Sequence, residues 1–238
     1  MTQQTNRIQL ILFDVDGTLL WTRGLGRAAM REAMLEVFGN HGVIDGHEFG
    51  GKTDWQTLVE LLGENGYDET RIGEHMPHFE TSIQRHIGQF VEAGTFDVTA
   101  CPGAVETVEA LRQRDDVLVG VLTGNVSTTT PVKLRAAGFD PAAFVIGAYG
   151  SEKLDRNHLP TLALERASAH LGRTITPQQV MIVGDTLADI ACARAIGAVV
   201  TIVATGFSPR EALIAAQPDY FLEDLTSFME TFDGILGE

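Results

Sequence analysis

Two carboxylates, Asp14 and Asp16, stand one residue apart and are followed at once by Gly17 and Thr18. An aspartate in such a place can attack phosphorus or carbon and hold a covalent intermediate. A second carboxyl group beside it can bind Mg2+ or shuttle a proton. Gly17 allows a turn that a side chain would obstruct. Asp is also common in plain turns, so the pair gains meaning only from the rest of the chain. Three further stretches carry related chemistry. Thr123-Gly124-Asn125 offers a hydroxyl and a close backbone approach, both suited to a phosphoryl oxygen; it also reads as a turn with a helix cap. The run 152–157 contains two cations, Lys153 and Arg156. A cation near a transferring phosphoryl group stabilises its charge, although a solvated charge cluster has the same composition. In Gly184-Asp185-x-x-x-Asp189 the hard oxygen of Asp185 suits Mg2+. Asp189, one helical turn on, can orient Asp185 or a bound water, and it equally suits a helix N-terminus.

Each carboxylate cluster closes an apolar run. Residues 8–13 form a short run with β-branched and aromatic members, the pattern of a strand buried on both faces. Similar runs occupy 117–122, 144–148, 180–183 and 199–203, with a short edge strand at 219–222. Helical periodicity fills the intervals 103–114, 131–137, 159–171 and 188–196. This alternation predicts an α/β fold with a Rossmann-like, doubly wound parallel sheet. In such sheets ligands bind beyond the carboxyl ends of the strands, where Asp14, Thr123 and Asp185 would meet. Residues 20–95 break the alternation. They read as helices over 25–38, 54–62 and 69–91, the last weakened by Gly73, Pro77 and Gly88, with no strand-like run. The expected organisation is a core of 1–19 and 96–238 with a small helical domain, 20–95, inserted after the first strand.

Composition limits the partners. The formal net charge of -15 and pI of about 4.8 repel nucleic-acid phosphates and anionic lipid. An anionic substrate must therefore be drawn in by a local positive site or a metal. Two cysteines, Cys101 and Cys192, make neither a disulfide framework nor a zinc quartet. No apolar run approaches the roughly 20 residues that span a bilayer. Residues 1–7 lack the apolar region of a signal peptide, so a reducing cytoplasm is the expected location. Nothing in the composition speaks to an oligomeric state.

In type and in order these four stretches resemble the motifs of the haloacid-dehalogenase-like (HAD) superfamily, closest in layout to its phosphoglycolate-phosphatase-like members. Asp14-x-Asp16-Gly17-Thr18 is similar to the first motif and Thr123-Gly124-Asn125 to the second. A basic residue at 153–156 stands for the third, and Gly184-Asp185-x-x-x-Asp189 for the fourth. The helical insertion lies where that superfamily carries a C1-type cap. The resemblance implies a Mg2+-dependent phosphatase acting on a small phosphate monoester. Asp14 would be the nucleophile, and Asp16 would protonate the leaving oxygen and then activate water. Thr123, Gly124 and Asn125 would hold the phosphoryl group. Asp14, the backbone carbonyl of Asp16, and Asp185 would bind Mg2+. One departure from the motif concerns the third cation, which usually sits just before a Pro and a helix. Arg156 is nearer than Lys153 to the helix that Pro160 opens, and it is the favoured cation.

Other readings compete. The same fold hosts phosphomutases and C–P or C–Cl cleaving enzymes; a dehalogenase needs no second carboxylate, and Asp16 is present. In a different class, Gly46-x-x-x-x-Gly51-Lys52-Thr53 fits the nucleotide-binding P-loop pattern. A true P-loop follows a buried strand, and only Val43-Ile44 precedes this one. Within the phosphatase reading, Lys52 is expected to touch the non-phosphoryl end of the substrate.

Overall fold

The computed structural model describes residues 7–237. Strand β1 (Leu10–Phe13) is followed by the two-residue strand β2 (Leu20–Trp21). Three helices come next: α1 (Leu25–Phe38), α2 (Asp54–Leu62) and α3 (Glu69–Glu92). Strand β3 (Thr99–Ala100) brings the chain back to α4 (Ala104–Arg112). The alternation then runs β4 (Leu118–Thr123), α5 (Thr130–Ala136), β5 (Ile146–Tyr149), α6 (Leu159–Leu171), β6 (Val180–Gly184), α7 (Leu187–Ile196) and β7 (Val199–Val203). Helix α8 (Arg210–Ala215), β8 (Tyr220–Leu222) and α9 (Phe228–Gly237) complete it.

Six strands form one parallel sheet in the order β5-β4-β1-β6-β7-β8. The expected doubly wound α/β fold is present. From β1 the chain winds out to β5, then crosses to β6 on the other side of β1. The sheet therefore switches direction beside β1, the place where such folds open a crevice. Side chains alternate across each strand. Ile11 and Phe13 enter one apolar layer with Leu111, Leu134, Phe228 and Phe232. Leu10 and Leu12 enter the opposite layer with Ala163, Ala167, Ile190 and Ala193. Both faces of β1 are thus buried, which is why its sequence is continuously apolar.

The helices α1 to α3 pack around an apolar cluster of their own, containing Met30, Met34, Leu58, Phe79 and Ile83. Helix α3 runs unbroken through Gly73, Pro77 and Gly88, which the sequence reading treats as weak points. Its buried residues Ile72, Met76, Phe79, Ile83 and Ile87 recur at helical spacing, and packing of that stripe outweighs the local propensities. A second difference is the antiparallel ribbon in which Leu20 faces Ala100 and Trp21 faces Thr99. The sequence reading expects no strand there, because two residues are too few to show a period. This ribbon is where the chain leaves the core and returns to it. Strand β5 also begins two residues later than the run 144–148 predicts, since Phe144 caps a preceding 3-10 turn. Among the described residues no helix is long and apolar enough to cross a membrane.

Candidate active site

The period of β1 sets the first geometry. Asp14 has the parity of Leu10 and Leu12, so it turns toward the layer of α6 and α7. There its backbone N–H extends the ladder to the carbonyl of Val183 (2.8 Å). Its Oδ1 accepts from an Nη2 of Arg156 at 2.9 Å, and the same guanidinium donates to Asp189 Oδ1 at 2.6 Å. Asp189 is pinned from its other oxygen by the N–H and hydroxyl of Thr186 at the start of α7 (3.0 and 2.7 Å). Asp185 Oδ1 accepts from the Thr18 hydroxyl (2.9 Å). Gly17 makes the turn possible: it has φ 92°, and a Cβ there would come within 2.6 Å of Asp185 Oδ2.

Asp14, Asp185 and Asp189 each present an oxygen within 4.8 Å of the others, and all three are buried. Burial pushes the Asp14 carboxyl up to about 7; Arg156 opposes this, while Asp189 and Asp16 add to it. Burial, then the charges of Asp14 and Asp189, raise Asp185 as well. Three carboxylates thus share one guanidinium. A hard divalent cation would supply the missing positive charge, and an all-oxygen donor set suits Mg2+. The residues present fit such an ion.

On the other side of β1, Asp16 belongs to a second network. Asn125 donates from Nδ2 to Asp16 Oδ2 and to the Thr123 hydroxyl, each at 2.7 Å. Thr22 donates to Asp16 Oδ1 at 3.2 Å. The third partner is absent from the sequence reading: Lys133, on α5, donates to both Asp16 oxygens (3.1 and 2.8 Å) and to Asn125 Oδ1 (2.6 Å). Burial pushes Asp16 up, but Lys133, by charge and by hydrogen bond, with Asn125 and Thr22, brings it below the ordinary carboxylate range. A sequence signal for Lys133 did exist. It shares a helix face with buried Thr130 and Leu134, so the apolar stripe of α5 contains a lysine.

Of the two candidate cations of the third stretch, Arg156 opens a 3-10 turn over Arg156–His158, capped by Asp155, whose side chain accepts from Asn157 N–H (2.9 Å). This turn carries Arg156 inward to 6% exposure, while Lys153 is exposed. The structure brings Arg156 to Asp14 and leaves Lys153 outside.

The loop from Gly51 to Asp54 lies across the strand ends. The Asp54 N–H donates to the Gly124 carbonyl (2.7 Å), and Val126 N–H donates to Asp54 Oδ2 (2.8 Å). The Thr53 hydroxyl donates to the Leu154 carbonyl (2.8 Å). A Cβ at Gly124 would stand 1.9 Å from the Lys52 carbonyl oxygen, so only glycine permits this seam. Lys52 itself turns along α2 to Glu60 (2.5 Å) and is not brought to the carboxylates. The P-loop pattern finds no support here. A 3-10 turn, Ile44–Gly46, stands where a strand should be, and the Thr53 hydroxyl is committed as the cap of α2. Burial pushes the Asp54 carboxyl up to about 6, with Lys133 opposing. A carboxyl raised in the folded state favours folding most below its unfolded value, and that contribution fades as pH rises through about 6. Asp54→Asn, which keeps an acceptor for Val126, is therefore expected to raise Tm more at pH 8 than at pH 5, as thermal melts at the two pH values would show.

Residues 8–197 match the family model of the haloacid dehalogenase-like hydrolases. The chain is 28% identical over 225 residues to a phosphoglycolate phosphatase of Synechococcus elongatus, covering 94% of this chain and 96% of that one. It is 26% identical to the pyrophosphatase PpaX of Oceanobacillus iheyensis, over 92% and 94% of the two chains. The crystal structure of a hydrolase from Pseudomonas syringae shares the fold with a TM-score of 0.67, at 21% identity and over 96% and 99% of the chains.

Proposed function

Because this chain belongs to the haloacid dehalogenase-like hydrolases, we propose that it is a Mg2+-dependent phosphatase that hydrolyses a small phosphate monoester through an aspartyl phosphate on Asp14. The observation that carries this reading is the placement of Asp14. It is a buried carboxylate at the end of the central strand, oriented by Arg156 and flanked by the Asp16–Asn125–Thr123 network. Held by Asp14, Asp185 and the backbone carbonyl of Asp16, Mg2+ would offset the repulsion between an anionic carboxylate and an anionic phosphate.

The residues of the chain divide the work. An oxygen of Asp14 attacks phosphorus, and the bond from phosphorus to the leaving oxygen breaks. That oxygen takes the electron pair and a proton from Asp16. Water then attacks the phosphorus and gives its proton back to Asp16, and the bond to Asp14 breaks, restoring the free carboxylate. Thr123, with the backbone at Gly124 and Asn125, holds the phosphoryl oxygens. Arg156 fixes the nucleophile, and Asp189 fixes Arg156. In-line placement and charge neutralisation carry most of such a reaction. The presence of Asp16, anchored by three side chains, favours P–O cleavage over C–Cl cleavage, which needs no second carboxyl group.

We take residues 20–95 as a cap over this site and a phosphoglycolate-like or sugar phosphate as the substrate class. The 28% identical phosphoglycolate phosphatase supports that class. Two buried free thiols and the acidic composition suit a cytoplasmic enzyme. Purified protein is expected to release phosphate from an aryl phosphate with Mg2+ present, to stop in EDTA, and to resume when Mg2+ is returned. Undiminished turnover in EDTA would overturn the metal's role. A panel of phosphate monoesters, ranked by kcat/KM, tests the substrate class.

A further inference from the structure

We propose that Lys133 is a positioning residue for this reaction: it fixes Asp16 toward the leaving oxygen and couples it to the loop that holds the phosphoryl group. The proposal rests on the reading of Asp16 as acid and base. Its own basis is the geometry of Lys133. The side chain is 3% exposed, and its ammonium meets three acceptors, both oxygens of Asp16 and Oδ1 of Asn125. An ammonium has three donors, so its capacity is filled by these two residues. Asn125 passes the connection on to Thr123. One lysine thus joins the acid–base carboxyl to the phosphate-holding hydroxyl across two strand ends, β1 and β4.

Fold stability gives little reason for a lysine at this position. Desolvating an ammonium costs several kcal/mol, and a buried ion pair is often no more stabilising than apolar side chains of the same volume. Thr130 and Leu134 line the same face of α5, and a methionine would continue it. What the ammonium provides is direction. The Asp16 side chain is 36% exposed to the site, so without an anchor it would sample several rotamers. Lys133 and Asn125 together grip both of its oxygens. The ammonium is also roofed by the start of α1, where a Cβ at Gly26 would lie 3.7 Å from Nζ. The anchor therefore sits at the junction of core and insertion.

A misdirected Asp16 affects the two chemical steps differently. Forming the aspartyl phosphate from an alkyl phosphate requires a proton for the leaving alkoxide. A nitrophenolate leaves without one. Hydrolysis of the aspartyl phosphate needs Asp16 as base whatever the substrate was. Lys133→Met is expected to slow aspartyl-phosphate formation from an alkyl phosphate by about 10²-fold, the value of one acid–base group. With 4-nitrophenyl phosphate the burst of nitrophenolate should stay close to that of the parent enzyme. Steady-state turnover should fall by about 10²-fold, with phosphorylated protein accumulating in intact-mass spectra. Asp16→Asn should show the same split, and the double variant should be slower than Asp16→Asn by no more than about twofold. That double variant also leaves no unpaired buried charge, so it keeps the comparison available; Lys133→Gln is read in the same way if the methionine variant does not fold. A slowing of aspartyl-phosphate formation in Lys133→Met that is equal for both leaving groups, or a loss that adds fully to Asp16→Asn, overturns the proposal. If Asp16→Asn itself shows no split, the acid–base reading fails and takes this proposal with it; a split in Asp16→Asn alone sinks only the role of Lys133.

Discussion

Asp14→Asn is expected to abolish turnover while leaving the fold intact. The amide keeps the size of the carboxyl and an oxygen for the Arg156 bond, now 2.9 Å long, but it is no nucleophile. Loss of a covalent nucleophile typically lowers kcat by on the order of 10⁴-fold or more. Stability should not fall with it. Asp14 is one of three buried carboxylates around one guanidinium, and burial holds its carboxyl up near 7. Ionising it at neutral pH therefore works against folding, and a neutral amide relieves that opposition. Tm at pH 8 is expected to hold steady or rise. Steady-state kinetics beside a thermal melt tests both halves. Near-normal turnover would remove Asp14 from the mechanism, whereas an inactive protein with a collapsed Tm would reassign it to structure.

Arg156→Met is expected to damage both activity and stability. The guanidinium joins Asp14 and Asp189 at 2.9 and 2.6 Å, with 7% side-chain exposure. Removing one partner of a buried ion pair costs about 3–5 kcal/mol, because the remaining charge is stranded; here two carboxylates are stranded. Loss of one fixed electrostatic contact at the reacting centre should lower kcat/KM by on the order of 10²-fold or more. The pH dependence has a definite sign. Arg156 is the cation that opposes the upward push on Asp14. Without it the carboxyl binds its proton still more tightly in the folded state. The stability deficit should therefore be larger at pH 8 than at pH 5, and the rising limb of activity against pH should move to higher pH. Lys153→Ala is the control, since an exposed charge contributes little. A crippled Lys153→Ala beside a healthy Arg156→Met would reverse the assignment of the cation.

The reach of the sequence can be judged residue by residue. Strand β1 was legible because burial on both faces demands an unbroken apolar run, and Asp14 ends that run abruptly. The same logic exposes Asp185 after β6 and Thr123 at the end of β4. The choice between Arg156 and Lys153 hinged on a short turn capped by Asp155, a detail of one side-chain hydrogen bond that spacing only hints at. Lys133 is the harder residue to read, because a lysine in a helix normally marks the solvent face and its spacing with Thr130 and Leu134 is only a faint sign that this face of α5 looks inward. Lys52 misled in the opposite sense. Its neighbours match a nucleotide-binding pattern by letter, but a pattern of letters does not specify the strand that must stand in front of it. The β2–β3 ribbon left no trace, because its pairing is long-range and too short for periodicity.

The separateness of the third apolar cluster has an evolutionary consequence. The helices α1 to α3 fill their interior almost entirely with their own side chains, and Val126 is the buried residue that the core lends them. Contact with the strand ends runs through a few positions: Thr53 and Asp54 at the start of α2 meet Leu154, Gly124 and Val126, and Glu80 on α3 meets Ser127 and Thr128. Away from those few positions, a side-chain change inside one cluster scarcely strains the packing of another. Mutational drift in the helical cluster is thereby largely uncoupled from the sheet. On the proposed reading of 20–95 as a cap, a lineage could alter which molecules are admitted, one residue at a time, while the carboxylates keep their positions.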